Sequence, residues 1–373
     1  MLISFVLPIS DFIMKIMNNL KCRNLNLFVF FLFSFYTLSL RAEPIVLKIH
    51  TWTGYVKPYE KEFQAYAKTQ CHEDIQLEVT YATGLTSFVE QLTQNTADLI
   101  SPANDVIEHL WQKQLIRPLD LEKIPNFRQV NPIILRHGFY RLEGQVYAAP
   151  FTFGPYALAY NKDRMQAPTS YVILWDERYR KRVSISGDFY AANIYMVALF
   201  LKIPESHLFN LSDTELSKIK NRLSLLHTTQ IYRYWESNLE PNDMNELDVG
   251  MDWGVGVHMI NARGGNWDLV IPEEGATAWV DSWVMASGIA NKKIDAAYCF
   301  INFMLSATTQ AQVMRQTGYG GTNLYVSRYM SVKEQIIYHV TDPDYLRRLI
   351  LWQPLPTDIL EKYEAIWKQA TQN

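Results

Sequence analysis

The amino-acid sequence predicts an α/β protein of two lobes, and three observations carry that expectation. From Glu43 onward, strand-like and helix-like segments alternate in a βαβαβ order, which implies a mostly parallel sheet with helices on its faces. The chain has 373 residues, enough for two domains. No low-complexity or Gly/Ser-rich linker divides it. Two lobes joined by crossing strands fit that continuity better than two beads on a string.

The elements follow in order. "IVLKIHTW" (45–52) reads as a strand, and "PYEKEFQAYAKTQ" (58–70) sets Tyr59, Phe63 and Tyr66 at helical spacing. "IQLEVTYA" (75–82) alternates as a second strand, "TSFVEQLTQ" (86–94) is a helix and "ADLIS" (97–101) a short buried strand. "NDVIEHLWQKQL" (104–115) continues as a helix, and "GQVYAAPFTFGPYALAYNKDRM" (144–165) as a long strand passing between two bodies. A second α/β region spans 171–278. It holds a strand at 182–186, an apolar helix at 191–202, a helix at 212–227 and a strand at 247–254 that reaches Trp253. The helix at 212–227 opens with a capping box, Ser212 to Glu215. "GATAWVDSWVM" (275–285) is a buried strand whose alternation puts Thr277, Trp279, Asp281 and Trp283 on one face. One long helix at 294–316 and a helical tail complete the chain.

Lys15, Lys21 and Arg23 precede an apolar run from Leu25 to Leu40, and Arg41–Ala42 follows it. A charged start, an apolar stretch and a small residue before a polar segment describe a secretory signal peptide over residues 1–42. The run is short for a membrane span. Lys15, Lys21, Arg23 and Arg41 would leave with that peptide against Asp11 alone, taking the formal charge from −3 to −6. An acidic mature chain argues against nucleic acid and suits a cationic ligand. Cys22 would leave too, and Cys71 and Cys299 could pair in an oxidising compartment or remain free thiols.

Enzyme signatures are missing. The sequence holds no H-E-x-x-H, C-x-x-C or G-x-S-x-G, and its eight histidines are scattered without metal-ligand spacing. Glu273–Glu274 are adjacent, so in an extended segment they point apart and do not make a glycosidase carboxylate pair. What remains is Tyr, Trp and Asp at strand ends: "HTWTGYV" (50–56), "ISPAND" (100–105), "SGD" (186–188) and "MDWG" (251–254). In open α/β sheets ligands bind beyond the carboxyl ends of the strands, so these four are placed to converge on one cleft.

Five stretches, "YAAPFTFGPYALAYNKDRM", "SYVILWDERYRKRVSISGD", "VGMDWG", "IPEEGATAWVDSWVM" and "AAYCFINFMLSATTQAQVMRQTGYGGTNL", carry a resemblance. In this order they resemble the periplasmic spermidine/putrescine-binding proteins of polyamine ABC importers, within the bacterial extracellular solute-binding protein family. The resemblance implies a type II periplasmic-binding-protein fold, with two α/β lobes, crossover hinge segments and a ligand cleft between them. By that comparison the chain crosses near Gly154–Pro155, Ala278–Trp279 and Ser327–Arg328. Lobe one is then 43–154 with 279–327, and lobe two 155–278 with 328–373.

The same resemblance implies a binding set. Thr53 and Tyr55 follow the first strand, and Asp188 receives a terminal amine. Trp253 forms one indole wall, and Trp279 with Asp281 a second wall and its carboxylate. Tyr319 and Gln353 make polar contacts at the rim. Two departures stand out: a family Glu falls on Ala191, and a family Ser and Tyr fall on Ala103 and Asp105. Asp105 thereby becomes a candidate ligand carboxylate in lobe one. The implied function is capture of a polyamine, without cofactor, metal or catalysis, by a periplasmic monomer that serves ABC permease subunits. The alternatives are another small solute, such as a different amine, an amino-acid-like compound or a sugar, and a ligand sensor without transport.

Overall fold

The computed structural model describes residues 43–342 and 344–372; the expected signal peptide, with Cys22, lies outside the described residues. Three parallel strands start the chain: β1 (Ile45–Thr51), β2 (Ile75–Tyr81) and β3 (Leu99–Ile100), with β1 in the middle. A two-stranded ladder follows, β4 (Arg141–Leu142) and β5 (Gln145–Val146). Then comes β6 (Ala148–Asn161), fourteen residues long and buried throughout. A second parallel set is β7 (Val183–Ser186), β8 (Ile231–Trp235) and β9 (Val249–Asp252), and β10 (Trp267–Val270) pairs antiparallel with β6. The remaining strands are β11 (Ala276–Met285), β12 (Gly320–Gly321) and β13 (Leu349–Leu351).

One sheet path runs β2-β1-β3-β11-β6-β9-β7-β8. Its centre is the antiparallel pair β6–β11, and the two parallel sets lie on either side of it. β6 pairs β11 through residues 148–156 and β9 and β10 through residues 157–161. Strands covered on both faces read as continuous apolar runs, which explains the unbroken burial of β6 and β11. Two large cores sit on the two sides. The first gathers Leu47, Phe63, Phe151, Trp283 and Phe300; the second gathers Leu158, Ile185, Met196, Trp235 and Trp253. The expected mixed α/β architecture with a long strand between two bodies is what the sheet displays.

Several local expectations need correction. The helix expected over 104–115 spans only Ile107–Gln112, because Asn104 and Asp105 are drawn into a turn against β11. The helix expected over 294–316 is two, Ile294–Met304 and Ala307–Thr317. Ser306 ends the continuity, since its side chain accepts from the Thr309 N–H and caps the second helix. The capping box at Ser212 and Glu215 is present and the helix extends to Thr229. The sequence does not predict β4, β8, β10, β12 or β13. Cys71 and Cys299 are joined as a disulfide with Cα atoms 6.2 Å apart, tying the segment after the first helix to Ile294–Met304. Residues Val326 and Met330 pack with Ala311 and Met314 of the helix Ala307–Thr317.

Candidate functional site

The carboxyl ends of β1, β3, β7 and β9 deliver Tyr55, Asp105, Asp188 and Trp253, while β11 delivers Trp279 and Asp281 directly. Asp281 is buried, and the Tyr55 hydroxyl donates to its Oδ2 at 2.6 Å. Tyr55 reaches it from a tight turn in which Gly54 has φ +92°, a conformation that favours glycine. The Tyr55 ring meets Phe151 edge-on at 4.9 Å and Tyr319 at 6.3 Å. Tyr319 also meets the Trp279 indole edge-on, with centroids 4.6 Å apart. Tyr55, Trp279, Asp281 and Tyr319 therefore form one group.

Gly154 makes room for this group. It lies opposite Trp279 across the β6–β11 ladder. A Cβ on Gly154 would stand 2.6 Å from the indole Cζ2, so only glycine lets the ring lie against the strand backbone. Trp283, four residues further along β11, leaves the group. It packs on Phe151 and Phe300 in the first core. It stays linked to the group through Phe151, which also meets Tyr55, while the two indoles of β11 serve different cores.

Asp105 enters through a backbone clasp. Ala103 bridges Asp281, the Ser282 N–H donates to the Pro102 carbonyl, and the Asn104 Oδ1 accepts from the Val280 N–H. The clasp aligns residues 102–104 with β11 and brings Asp105 within electrostatic reach of Asp281. Burial pushes the Asp105 carboxyl up to about 7, and its Oδ1 has no hydrogen-bond partner among the described residues. Asp281 is held well above the usual carboxylate range by burial first; the Asp105 charge adds to this and the Tyr55 hydroxyl opposes it. No Lys, Arg or His among the described residues pairs with either.

The other side is built around Trp253. Its indole lies 4.5 Å from the Tyr156 ring and meets Phe189, Trp235 and Trp352 edge-on. Its Nε1 donates to the Ser237 carbonyl, and the Ser237 N–H donates to Asp188 Oδ2. Asp188 is exposed and also accepts from the Ser186 hydroxyl at 2.7 Å. Asp252, directly before Trp253, accepts the Gly254 and Val257 N–H groups and so caps the helix Val255–Ala262. Gly254 and Gly318, both at positive φ, allow the Tyr319 loop to approach this side. A Cβ on Gly318 would stand 2.8 Å from His258 Cβ and 3.0 Å from the Gly254 carbonyl.

Thr53 and Gln353 are exposed and stand apart from the hydrogen bonds and ring contacts of the group. Sequence reasoning passed over Trp352, Asn104 and Tyr156. Trp352 is buried beside Trp253, its N–H donates to the Ala278 carbonyl, and its own carbonyl accepts from Asn104 Nδ2. The indole in "LWQPLP" was the available signal for it.

Comparisons with known proteins bear on the family and the fold. A family model described as bacterial extracellular solute-binding protein matches residues 94–348. The spermidine/putrescine-binding periplasmic protein of Escherichia coli K12 is 26% identical over 293 residues, covering 76% of this chain and 80% of the relative. Spermidine/putrescine-binding periplasmic protein 1 of Haemophilus influenzae is 22% identical over 341 residues, covering 86% and 87%. Among solved structures, the spermidine/putrescine ABC transporter substrate-binding protein PotD from Streptococcus pneumoniae superposes with a TM-score of 0.75. It is 20% identical and covers 88% of this chain and 99% of its own.

Proposed function

The chain belongs to the bacterial extracellular solute-binding protein family, and we propose that it captures a polyamine for an ABC importer. The observation that carries this reading is the pair Asp105 and Asp281, two carboxylates without a cation partner among the described residues, of which Asp281 belongs to the group of Tyr55, Trp279 and Tyr319. An alkyl ammonium satisfies both needs: its charge offsets the carboxylates and its methylenes lie on the aromatic walls. An indole face adds roughly 0.5–2 kcal/mol for a cation placed over it. Asp188, beside Phe189 and the Trp253 unit, takes the other end of the ligand. Thr53, Tyr55, Tyr319 and Gln353 complete the binding set, the first and last from the rim.

In this reading the chain works as a monomer in the periplasm after loss of residues 1–42, performs no chemistry, and hands its ligand to permease subunits. Lobe one comprises 43–154 with 279–327, and lobe two 155–278 with 328–373. The packing of Val326 and Met330 on the helix Ala307–Thr317 favours moving the third crossing towards β13. Ligand binding stabilises the closed arrangement because only there do both sides touch the ligand.

The test is direct. Putrescine and spermidine at millimolar concentration should raise the melting temperature and change tryptophan fluorescence; absence of both responses defeats the polyamine assignment. The departures from the family pattern at Ala191, Ala103 and Asp105 favour a second reading, the same fold with another small solute. A sugar or amino acid that stabilises the protein while polyamines do not would establish it.

A further inference from the structure

Six of the thirteen exposed large apolar side chains of the described residues fall within 324–337: Leu324, Tyr325, Tyr329, Val332, Ile336 and Ile337. Val332, Ile336 and Ile337 are 73%, 67% and 56% exposed. Single exposed apolar residues are ordinary, but a contiguous cluster marks a surface that meets something else.

The segment is held in this orientation by its polar residues. Ser331 and Glu334 form a capping box on the short helix Val332–Ile337. Glu334 also pairs with Arg315 of the helix Ala307–Thr317, and Gln335 Nε2 donates to the Ser327 and Met330 carbonyls. Beneath them Val326 and Met330 anchor the segment on Ala311 and Met314. The usual amphipathic order is therefore inverted on this helix: Glu334 and Gln335 turn inward while Val332, Ile336 and Ile337 face solvent. A segment built so firmly with its apolar side outward is a prepared ridge.

Its charge narrows the occupant. The Arg328 guanidinium stands 4.2 Å from the Tyr325 ring centroid, Lys333 is exposed, and neither joins an ion pair among the described residues. Glu334, the acid of the short helix, is occupied by Arg315. The ridge is thus locally basic on a chain whose residues 43–373 carry 31 basic against 37 acidic side chains. Tyrosine and arginine around an apolar centre are the composition of protein interfaces, and the acidic remainder of the chain disfavours an anionic bilayer.

We propose that the 324–337 ridge is a docking surface for a partner protein that offers an apolar hollow rimmed by carboxylates. The helix beneath it ends at Thr317, two residues before Tyr319 of the ligand group, so the partner engages an element that also lines the cleft. Identifying that partner as the importer's membrane subunit rests on the function proposed above.

Two measurements separate the claims. A photoreactive benzoylphenylalanine replaces Ile336, or Val172 as an exposed control, in the chain expressed in its own cells. The Ile336 position should yield an adduct to an integral membrane protein identified by peptide mass spectrometry, and Val172 none. The yield should drop severalfold when Arg328 and Lys333 are both changed to Glu. No protein adduct at Ile336, an adduct to lipid, or an adduct to a second copy of the chain would overturn the proposal. Independently, I336D should bind putrescine as the parent does, within twofold. A parent that binds no polyamine defeats the functional reading while the adduct still decides the ridge.

Discussion

Two sets of buried or half-buried aspartates in this molecule are built in opposite ways. Asp98, Asp243 and Asp248 each meet a cation of the chain itself: Lys293, Arg233, and both Arg164 and Arg182. Asp105 and Asp281 meet none, and face each other's charge instead. A buried carboxylate is costly unless paired, so the first set is explained by the fold and the second is not. The difference teaches where the fold ends and the ligand begins. In the function proposed above, a cation completes the second set.

The sharpest way to break this comparison is to exchange a residue of each set. Asp281→Ala should reduce polyamine affinity by about a hundredfold or more, because it leaves a desolvated ammonium without its counter-charge. Asp248→Ala should leave affinity unchanged and lower unfolding stability by about 2 kcal/mol, since its two arginines are partly solvated. Titration calorimetry and chemical denaturation check the two arms. Equal effects of both variants on affinity would erase the distinction.

A second test uses pH. The Asp105 carboxyl is raised in the folded chain to about 7 from an ordinary 3.8. Between these values the folded state holds a proton that the unfolded state has lost, so stability falls as pH rises through this window. Asp252, raised to about 6, acts in the same direction. Glu215 and Glu334, lowered to about 2, contribute stability that is lost only at more acidic pH. The ligand-free protein should therefore gain stability from these two aspartates as pH drops from about 8 to 5.5, at a slope of at most ~1.4 kcal/mol per pH unit for each group. Polyamine affinity should move the other way, weakening as Asp105 and Asp281 are protonated. Affinity that is flat across this range would contradict the unpaired-acid account.

Smaller effects sharpen the picture. Gly154→Ala should displace the Trp279 indole and weaken binding by about tenfold, with a stability loss of about 1–3 kcal/mol from overpacking. Binding unchanged in that variant would remove Trp279 from the wall. Ala191→Glu adds an acid at the start of the helix Tyr190–Phe200, near Asp188 in sequence. Spermidine affinity should rise a few-fold through the added charge, and no change would argue for a shorter or different ligand.

Much of this architecture was legible because it is local. The alternation of β1 and β2, the capping box at Ser212 and the apolar run of β6 are periodic or short-range signals, and they mark real elements. The assembly of Tyr55 with Asp281 across 226 positions is not local, and no spacing could have joined them. Asp105 was expected in a helix, but its place is set by the Asn104 clasp on β11, a tertiary interaction that overrides propensity. Trp352 was missed because its neighbours are Trp253, Ala278 and Asn104, all distant in sequence. The split at Ser306 was readable in principle, since a serine followed by polar residues within an apolar helix is a capping signal.

The central claim is that Asp105 and Asp281 await a cation. Isothermal titration of putrescine and spermidine at about pH 7, in two buffers of different ionisation enthalpy, tests it most directly. The account predicts one ligand per chain and net proton release on binding, because the ligand ammonium draws Asp105 and Asp281 into their ionised forms. Polyamine binding with no proton release, or tight binding of a neutral sugar in its place, would contradict it.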